Sequence, residues 1–528
     1  MSYPIGRRGL LAAVAAGALG GVCGVARPAG AASPPVALTA GRRTLDVNGC
    51  AASVFGILQP DGRQGLVTSV TAPFRVDLRN ACGEATLIHW HGLTPPYQQD
   101  GVPGISAPAI PPGGSASYDF PLAFPGTFWM HSHQGLQEQQ LMAAPLIIHD
   151  ADARRDEQEV VLMLHDFSFR SPQEIFAGLR HAGSSPAGKA MDDATAKAGN
   201  AMAGHDMGGT DMQGDDMKGM AMPSMSHGGM ADMDMKDMDM KGMAPHRNGD
   251  AGAAGMAMDL NDVEYDAFLA NDRTLADPEV VRVEPGGRVR LRIINGAAAS
   301  NFSIMLGGGV TASLIAVDGH PVEPVRGSMF PVAIAQRLDL RIELPRGPSA
   351  TPVLAVLEGE RARTGIILAT AGAMVKKLGG SAAKEAAPLT FAVERTLRAA
   401  SPLAPRRPDR VLNVDLTGSM QDYVWGLNGR VFGEDAPLMV ARGERVELVM
   451  TNRTMMSHPM HLHGHVFQVV AANGARFAGA VRDTVLMPPM TSVTVAFDAD
   501  NPGKWAFHCH NLYHMAAGMM TTVQYTQA

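Results

Sequence analysis

The sequence predicts an all-β protein made of three similar β-sandwich domains, with a long insertion in the second. Many short segments alternate apolar and polar residues, which is typical of strands with one buried face. These segments are separated by turns rich in Gly and Pro, and the 528-residue chain holds 59 Gly and 36 Pro. Several sequence patterns also recur along the chain, which indicates repeated domains.

One repeat relates the first third of the chain to the last. The series from Pro111 to His133 recurs from Pro488 to His510, each residue displaced by 377 positions. The two series share a Pro-Pro pair, a Ser, a Phe, a Pro-Gly turn and two His separated by one residue. Ser132 stands where Cys509 stands in the second copy. The first and last domains are therefore predicted to be copies, and only the last has gained a thiol.

A second repeat occurs three times and gives the number of domains. Arg75, Arg288 and Arg445 each begin an Arg-Val-x-Leu segment, with spacings of 213 and 157 residues. Removing the 59-residue segment 200–258 from the first spacing leaves 154, close to the second. The expected organisation is a domain at 37–152, a domain at 155–370 that contains the insertion, a linker at 371–388 and a domain at 389–528.

The insertion at 200–258 has an unusual composition. It carries 15 of the 34 Met residues, among Gly, Asp, Lys and His, and no branched aliphatic or aromatic residue occurs before Leu260. Such a segment cannot build a core, so it is predicted to be disordered. Thioethers are soft donors that favour Cu(I), so the insertion is also predicted to bind extra Cu(I) or silver. A low-complexity spacer is the alternative.

The N-terminus has the features of an export signal over residues 1–32. Arg7 and Arg8 precede an apolar run, and Ala29-Gly30-Ala31 offers small residues for cleavage. The paired Arg favours the twin-arginine export machinery, with an ordinary secretory signal as the alternative. No second long apolar span follows, so the mature protein is expected in the periplasm without a membrane span. Removing the signal changes the formal charge from −7 to about −10, and nothing suggests nucleic-acid binding.

The chain contains four Cys residues. Cys23 lies in the export signal, and Cys509 lies between two His. Export permits a disulfide between Cys50 and Cys82, and two free buried thiols are the alternative.

Ten of the 18 His residues fall into four clusters. Side chains two residues apart on a strand share a face, so each pair of His at that spacing can clamp a metal ion. Four such clusters with one central Cys are a specific signal for a multinuclear metal site. The clusters are His89 and His91; His131 and His133; His458, His461 and His463; and His508, His510 and His514. Among the other His, His465 is expected to pack behind the ligands, and His149, His165 and His320 are expected in the core or behind ligands.

The fourth cluster has the donor set of a blue-copper site. A thiolate, two imidazoles and a weak axial thioether bind such a copper, and Cys509, His514 and Met519 provide three of these donors. On a strand Cys509 faces away from His508 and His510. One strand can therefore hold a copper at Cys509 and further coppers behind it, with a short covalent path for electrons between them.

These motifs resemble those of the multicopper oxidases over nearly the whole mature chain. The resemblance implies three cupredoxin-like Greek-key sandwiches and four Cu ions. It implies type 1 ligands His458, Cys509, His514 and Met519, and type 2 ligands His89 and His461. The implied type 3 ligands are His91, His131, His133, His463, His508 and His510.

The resemblance also implies a reaction, the reduction of O2 to water by four single electrons. Substrate is expected to give its electron to the type 1 copper through the edge of His458 or His514, and the electron then crosses Cys509 to His508 and His510. Asp100 resembles the acid that many members use to deliver protons, although an Asp-Gly turn is the alternative. No acid occurs at 508–520, so a second proton route is not predicted.

Two substrates compete, and Cu(I) is favoured. The chain most resembles periplasmic copper-resistance oxidases that carry Met-rich segments, and Asp483 is interpreted either as a contact for incoming Cu(I) or as a surface turn residue. Several Met residues also lie near the type 1 motifs: Met455, Met456, Met460, Met487, Met490 and Met515. The alternatives are a laccase-like oxidase of phenols, which an axial Met519 disfavours for difficult phenols, and a copper-sequestering protein. A monomer is expected because one chain supplies every ligand.

Overall fold

The computed structural model describes residues 34–151, 156–183 and 260–526. The predicted export signal and the Met-rich insertion lie outside these ranges, so their predictions stay predictions. Strands dominate the described residues, and they form three pairs of facing sheets that confirm the predicted all-β class of three sandwiches. The helices of the described part are short. They are Tyr97–Gln99, Gln137–Gln140, Pro172–Gly183, Glu394–Thr396 and Leu512–Ala516.

The first domain packs two four-stranded sheets against each other. In hydrogen-bonded order, one sheet contains Cys50–Leu58, Val36–Val47, Phe74–Ala81 and Ser115–Phe120. The other contains Leu66–Ser69, Ala143–His149, Gly126–Ser132 and Ile88–His91.

The middle domain has a six-stranded and a five-stranded sheet. The first contains Ala267–Ala270, Gln158–Phe167, Arg288–Asn295, Arg337–Glu343, Ala312–Val317 and His320–Gly327. The second contains Val280–Val283, Arg363–Thr370, Ala350–Leu357, Phe302–Leu306 and Met329–Val332.

The last domain has a seven-stranded and a five-stranded sheet. The first contains Val424–Leu427, Arg410–Ser419, Arg445–Asn452, Ser492–Asp498, Phe467–Ala472 and Ala475–Arg476, with Val481–Arg482 also on Phe467–Ala472. The second contains Leu438–Val440, Met520–Tyr525, Lys504–Cys509, His458–Leu462 and Thr484–Met487.

The three sandwiches repeat one arrangement of strands. In each, the strand with the Arg-Val-x-Leu segment pairs in parallel with the strand that opens the domain. The Val and Leu of each segment are buried, as alternation along a half-buried strand requires. Each domain has its own apolar core, and the core of the last domain also takes in Ile175 and Val263 of the middle domain. The middle domain is therefore packed directly against the part of the last domain that carries Cys509.

None of the described helices is long and apolar enough to cross a lipid bilayer.

Candidate metal centres

Strand pairing brings the His clusters together within each outer domain. In the first domain, His89 on Ile88–His91 lies opposite His131 on the neighbouring strand. In the last domain, His461 on His458–Leu462 lies opposite His508. Because residues opposite each other in an antiparallel pair share a face, each domain presents its imidazoles on one side of a sheet.

The two sets of imidazoles meet across the boundary between the first and last domains. The rings of His91 and His461 stack with centroids 3.8 Å apart, and those of His89 and His463 are 3.9 Å apart. His508 Nε2 lies 3.0 Å from His463 Nε2 and 3.4 Å from His133 Nε2. A second group is formed by His131 Nε2 and His510 Nε2, 3.4 Å apart, with the His91 ring nearby. All eight predicted type 2 and type 3 His therefore form one cluster, which is the larger cluster of the two metal centres.

The nitrogen atoms of this cluster fit metal ions. His89 Nε2, His91 Nδ1 and His461 Nε2 are buried, and none has a hydrogen-bond partner. Burying a polar atom without a partner costs free energy, so such atoms are expected to bind a metal ion. The structure also places groups of three donor atoms within 4.8 Å of one another, such as His133, His463 and His508. Neutral imidazole suits copper, and the donors present fit copper ions.

A second centre lies on the other side of the strand Lys504–Cys509. The Cys509 sulfur is 3.6 Å from His458 Nδ1 and 3.7 Å from His514 Nδ1, and the two nitrogens are 3.1 Å apart. The Met519 backbone is hydrogen-bonded to the backbones of Cys509 and His514, and its side chain is buried. The donor atoms of Cys509, His458 and His514, three of the four residues implied for the blue-copper site, therefore lie within 4.8 Å of one another. Cys509 and His508 face opposite sides of the strand, as strand alternation predicts.

Burial affects both centres in the same direction. It lowers the pKa of His91, His131, His463 and His510, and neighbouring imidazoles lower it further. These rings are therefore neutral near pH 7 and carry a free lone pair. Burial raises the pKa of the Cys509 thiol, so a copper ion that binds the thiolate displaces a proton.

The expected entry of electrons through the edge of His458 or His514 stays a prediction, but the structure leaves neither ring open to direct contact with a substrate. His458 and His514 are both completely buried. His458 Nε2 is hydrogen-bonded to Thr454 Oγ1 at 2.7 Å, and His514 Nε2 lies 2.8 Å from Asp262 Oδ2. An electron donor outside the protein therefore contacts residues around Thr454 and Asp262 rather than the ligand rings themselves.

Sequence reasoning missed Asp262, which lies just after the Met-rich insertion. Its side chain is fully buried and also accepts hydrogen bonds from Tyr423 Oη at 2.7 Å and Asn511 Nδ2 at 3.1 Å. Burial alone would raise the pKa of Asp262, but His514, Tyr423 and Asn511 lower it. An anionic carboxylate thus orients His514, and the neighbouring Asn511 caps the helix that carries this ligand. No motif marks Asp262, because its partners lie more than 150 residues away.

The prediction for Asp483 is wrong. The residue is completely buried, so it is neither a surface turn residue nor a contact for an ion arriving from solvent. Asp483 Oδ1 lies 3.1 Å from His91 Nε2 and 3.4 Å from His461 Nδ1, at the larger cluster. Burial alone would raise the pKa of Asp483, but ion pairing with Arg337 holds it well below its usual range.

Two other buried acids contact the larger cluster. Asp100 Oδ2 lies 2.9 Å from His463 Nδ1, and the Asp100 carbonyl oxygen is hydrogen-bonded to His89 Nδ1 at 2.8 Å. Glu138, which sequence reasoning missed, has Oε2 3.0 Å from His131 Nδ1. Burial raises the pKa of Glu138, and the nearby Asp166 raises it further. In the sequence, Glu138 is marked only by its position five residues after His133. In the structure it lies in a buried helical turn.

The remaining His and Cys residues are placed as follows. His465 is buried behind the cluster and bonds to the carbonyl oxygen of His463 at 3.0 Å, as predicted. His165 is buried, whereas His149 is only partly buried and pairs with Glu159. Cys50 is exposed and Cys82 is buried, and both are free thiols.

Comparisons with known proteins agree with this geometry. Sequence profiles described as multicopper oxidase match residues 68–153, 234–371 and 405–528. The multicopper oxidase MmcO of Mycobacterium tuberculosis is 30% identical over 85% of this chain and 79% of its own length. Copper resistance protein A of Escherichia coli is 26% identical over 85% of each chain.

Solved structures share the fold. A multi-copper oxidase from Pseudomonas thermotolerans aligns with a TM-score of 0.62 at 22% identity, covering 94% of this chain and all of that one. A laccase from Botrytis aclada aligns with a TM-score of 0.67 at 20% identity, covering 93% and 88%. Three cupredoxin-like sandwiches with a Cys-centred site and a His cluster define a copper-dependent oxidoreductase. The chain belongs to the multicopper oxidase family.

Replacing Asp262 by Asn is expected to raise the reduction potential of a copper ion bound at the Cys509 centre. The carboxylate makes His514 a better donor to Cu(II), and partners of this kind are worth about 10- to 100-fold in metal affinity. At about 59 mV per tenfold for one electron, the rise is on the order of 60 to 120 mV. Redox titration of the blue absorption measures it. Asp266→Asn, four residues away and exposed, is the control, and an equal potential in both variants would contradict the assigned role.

Proposed function

We propose that this chain is a periplasmic cuprous oxidase with four copper ions, which oxidises Cu(I) as part of copper resistance. Bound copper supplies the electron transfer and O2 chemistry of the family, and the protein supplies position and exclusion of water. Its type 1 ligands would be His458, Cys509, His514 and Met519. The type 2 and type 3 coppers would be held by His89, His91, His131, His133, His461, His463, His508 and His510.

The observation that carries the Cu(I) proposal is the position of the two segments that flank the Met-rich insertion. The helix Pro172–Gly183 packs over the type 1 site, where Phe176 contacts the rings of Tyr423 and Tyr513. The chain returns at Leu260, and Asp262 then contacts His514. The two described segments that flank the Met-rich insertion, Pro172–Gly183 before it and Asp262 after it, thus both contact residues around the type 1 site.

A second group of thioethers lies over the other type 1 His. Met455 and Met490 are 42% and 64% exposed. The backbone of Met490 donates to the carbonyl oxygen of Thr454, whose side chain is bonded to His458. Soft donors at the surface favour Cu(I) over harder cations. We infer that Met455 and Met490 help to bind the arriving Cu(I).

Replacing both Met455 and Met490 by Ser tests this inference. We expect kcat/KM for Cu(I) to fall by about tenfold, which corresponds to about 1.4 kcal/mol of lost transition-state binding. Phenol oxidation is expected to stay unchanged, and O2 consumption measures both. The control replaces Met305 and Met329, an exposed cross-strand pair in the middle domain, by Ser. Equal losses of Cu(I) activity in the two double variants would refute a specific contact.

Protons for the reduction of O2 must reach the larger cluster, and we propose that Asp100 delivers them. Its carboxylate is buried, lies within hydrogen-bonding distance of His463, and has an Oδ1 atom without a hydrogen-bond partner. Glu138 occupies the corresponding position beside His131.

One observation favours small organic donors as a second candidate. An open cavity of about 600 Å³ lies beside the helix Pro172–Gly183 and is lined in part by Leu136, Phe176, Arg180 and Asp422. Phe176 contacts Tyr423, whose ring is 6.0 Å from that of His514. The volume suits a single aromatic molecule. Rates of O2 consumption with each substrate, at equal O2 concentration, decide between the candidates. A Cu(I) oxidase turns over stabilised Cu(I) much faster than a phenol, and a laccase does the reverse.

A further inference from the structure

One guanidinium group from the middle domain lies where all three domains meet. Arg337 is not exposed, and each of its five N–H groups has an acceptor. Nε donates to Thr127 O at 3.2 Å in the first domain. Nη1 donates to Ala335 O at 3.0 Å and Asp483 Oδ1 at 2.8 Å, and Nη2 donates to Asp318 O at 3.1 Å and to Asp483 Oδ2. The fork of Arg337 therefore fixes Asp483 in both position and rotation.

Asp483 passes this constraint to two ligands from different domains. Its Oδ1 atom faces His91 Nε2 of the first domain and His461 Nδ1 of the last domain, at 3.1 and 3.4 Å. The opposite nitrogens, His91 Nδ1 and His461 Nε2, are the buried atoms that have no hydrogen-bond partner. His461 Nδ1 also lies 2.9 Å from the carbonyl oxygen of Asp483. The carboxylate and carbonyl oxygens of Asp483 thus together determine which nitrogen of each ring is left for copper.

The backbone around this contact is strained or closely packed. Gly92, next to His91, has a φ of +87°, and a Cβ atom there would lie 2.4 Å from Arg337 Nη2 and 2.8 Å from Asp483 Oδ2. Ala335, which accepts a hydrogen bond from Arg337, has a φ of 67°. Strained residues of this kind persist where the surrounding structure fixes them, and they cluster at functional sites.

We propose that Arg337 is a positioning residue for the type 2 copper. By holding Asp483, it sets the tautomer and orientation of His461 and of its stacked neighbour His91. The middle domain contributes none of the twelve predicted ligands, and through this residue it takes part in building the metal site. The proposal rests on the copper assignment above and is independent of whether Cu(I) or a phenol is the substrate.

The test is the copper content and the electron paramagnetic resonance spectrum of the full chain after copper loading. In Arg337→Gln, we expect the affinity for the type 2 copper to fall by about 10- to 100-fold. The type 1 signal is expected to remain, because Cys509 and its partners lie on the other side of the strand. Arg337→Lys keeps the charge but loses the fork, so an intermediate affinity is expected.

Arg292→Gln is the matched control. Arg292 is also a buried Arg of the middle domain, and it bonds to Thr127 Oγ1 at 2.9 Å, to Asp339 and to Glu159. It should lose stability but keep its type 2 copper. The proposal is overturned if Arg337→Gln binds type 2 copper as the unaltered chain does, or if the two Gln variants lose it equally.

If Arg337→Gln does not fold, Arg337→Lys decides: an unchanged type 2 spectrum and affinity in that variant overturn the proposal. Because both readouts are spectroscopic and stoichiometric, failure of Cu(I) turnover would not be mistaken for failure of this positioning role.

Discussion

Replacing Cys509 by Ser is expected to abolish the blue type 1 absorption and to reduce O2 consumption by at least about a hundredfold, or 2.7 kcal/mol of barrier. The sulfur lies between His458 and His514 and is the only thiol at that centre in the described structure. A hydroxyl is a harder donor that does not stabilise Cu(I) as a thiolate does. The larger cluster does not use this sulfur, so its copper ions are expected to remain.

Absorption and EPR spectra, O2 consumption and growth of cells in copper measure the effect. Cys82→Ser is the control, because Cys82 is also buried but belongs to the first-domain core and bonds to Asn80. Loss of both oxidase activity and copper resistance in Cys509→Ser supports the oxidase proposal. Full resistance without oxidase activity would instead establish sequestration as the physiological role.

Deleting residues 200–258 is expected to have the second-largest effect, and to affect one substrate only. At low Cu(I) concentration, turnover should fall by about tenfold or more, because a tethered set of donors raises the local concentration of the ion beside Asp262. Phenol oxidation should stay constant or rise, because Phe176 and the other residues that line the neighbouring cavity all lie outside the deleted segment.

Steady-state O2 consumption with each substrate measures this difference. A second variant keeps the length of the segment and changes its 15 Met to Ser, which separates the thioethers from the chain itself. If the Met-to-Ser variant oxidises Cu(I) as fast as the unaltered protein, the segment is a spacer and the feeding role is wrong. If deletion slows both substrates equally, the segment supports the fold rather than Cu(I) delivery.

The fold and the His and Cys clusters were predictable because local spacing encodes them, whereas the type 1, type 2 and type 3 assignments come from the family resemblance and stay predictions. Alternation along Phe74–Ala81 specifies a half-buried strand, and residues two apart, such as His508 and His510, necessarily share a face. These relations depend only on the period of a strand. They hold before any long-range contact is known, which is why the two metal centres were placed on opposite sides of Lys504–Cys509 from sequence.

The groups that support the ligands were not predictable from spacing. Asp262, Glu138 and Arg337 reach their partners only through tertiary packing, and none stands in a recurring motif. Asp483 shows the same limit from the other side. A short polar run is typical of a surface turn, but an ion pair with an Arg 146 residues earlier in the chain stabilises Asp483 in the interior.

The division of the larger cluster between the outer domains has a consequence for biosynthesis. The first domain supplies four imidazoles, and their partners His461, His463, His508 and His510 are translated more than 300 residues later. Domains fold largely in order of synthesis, so the nascent chain displays half of a metal-binding surface for most of its translation. Copper can be captured in the correct stoichiometry only after the last domain has docked. A full copper content therefore indicates that the last domain has been synthesised and has docked.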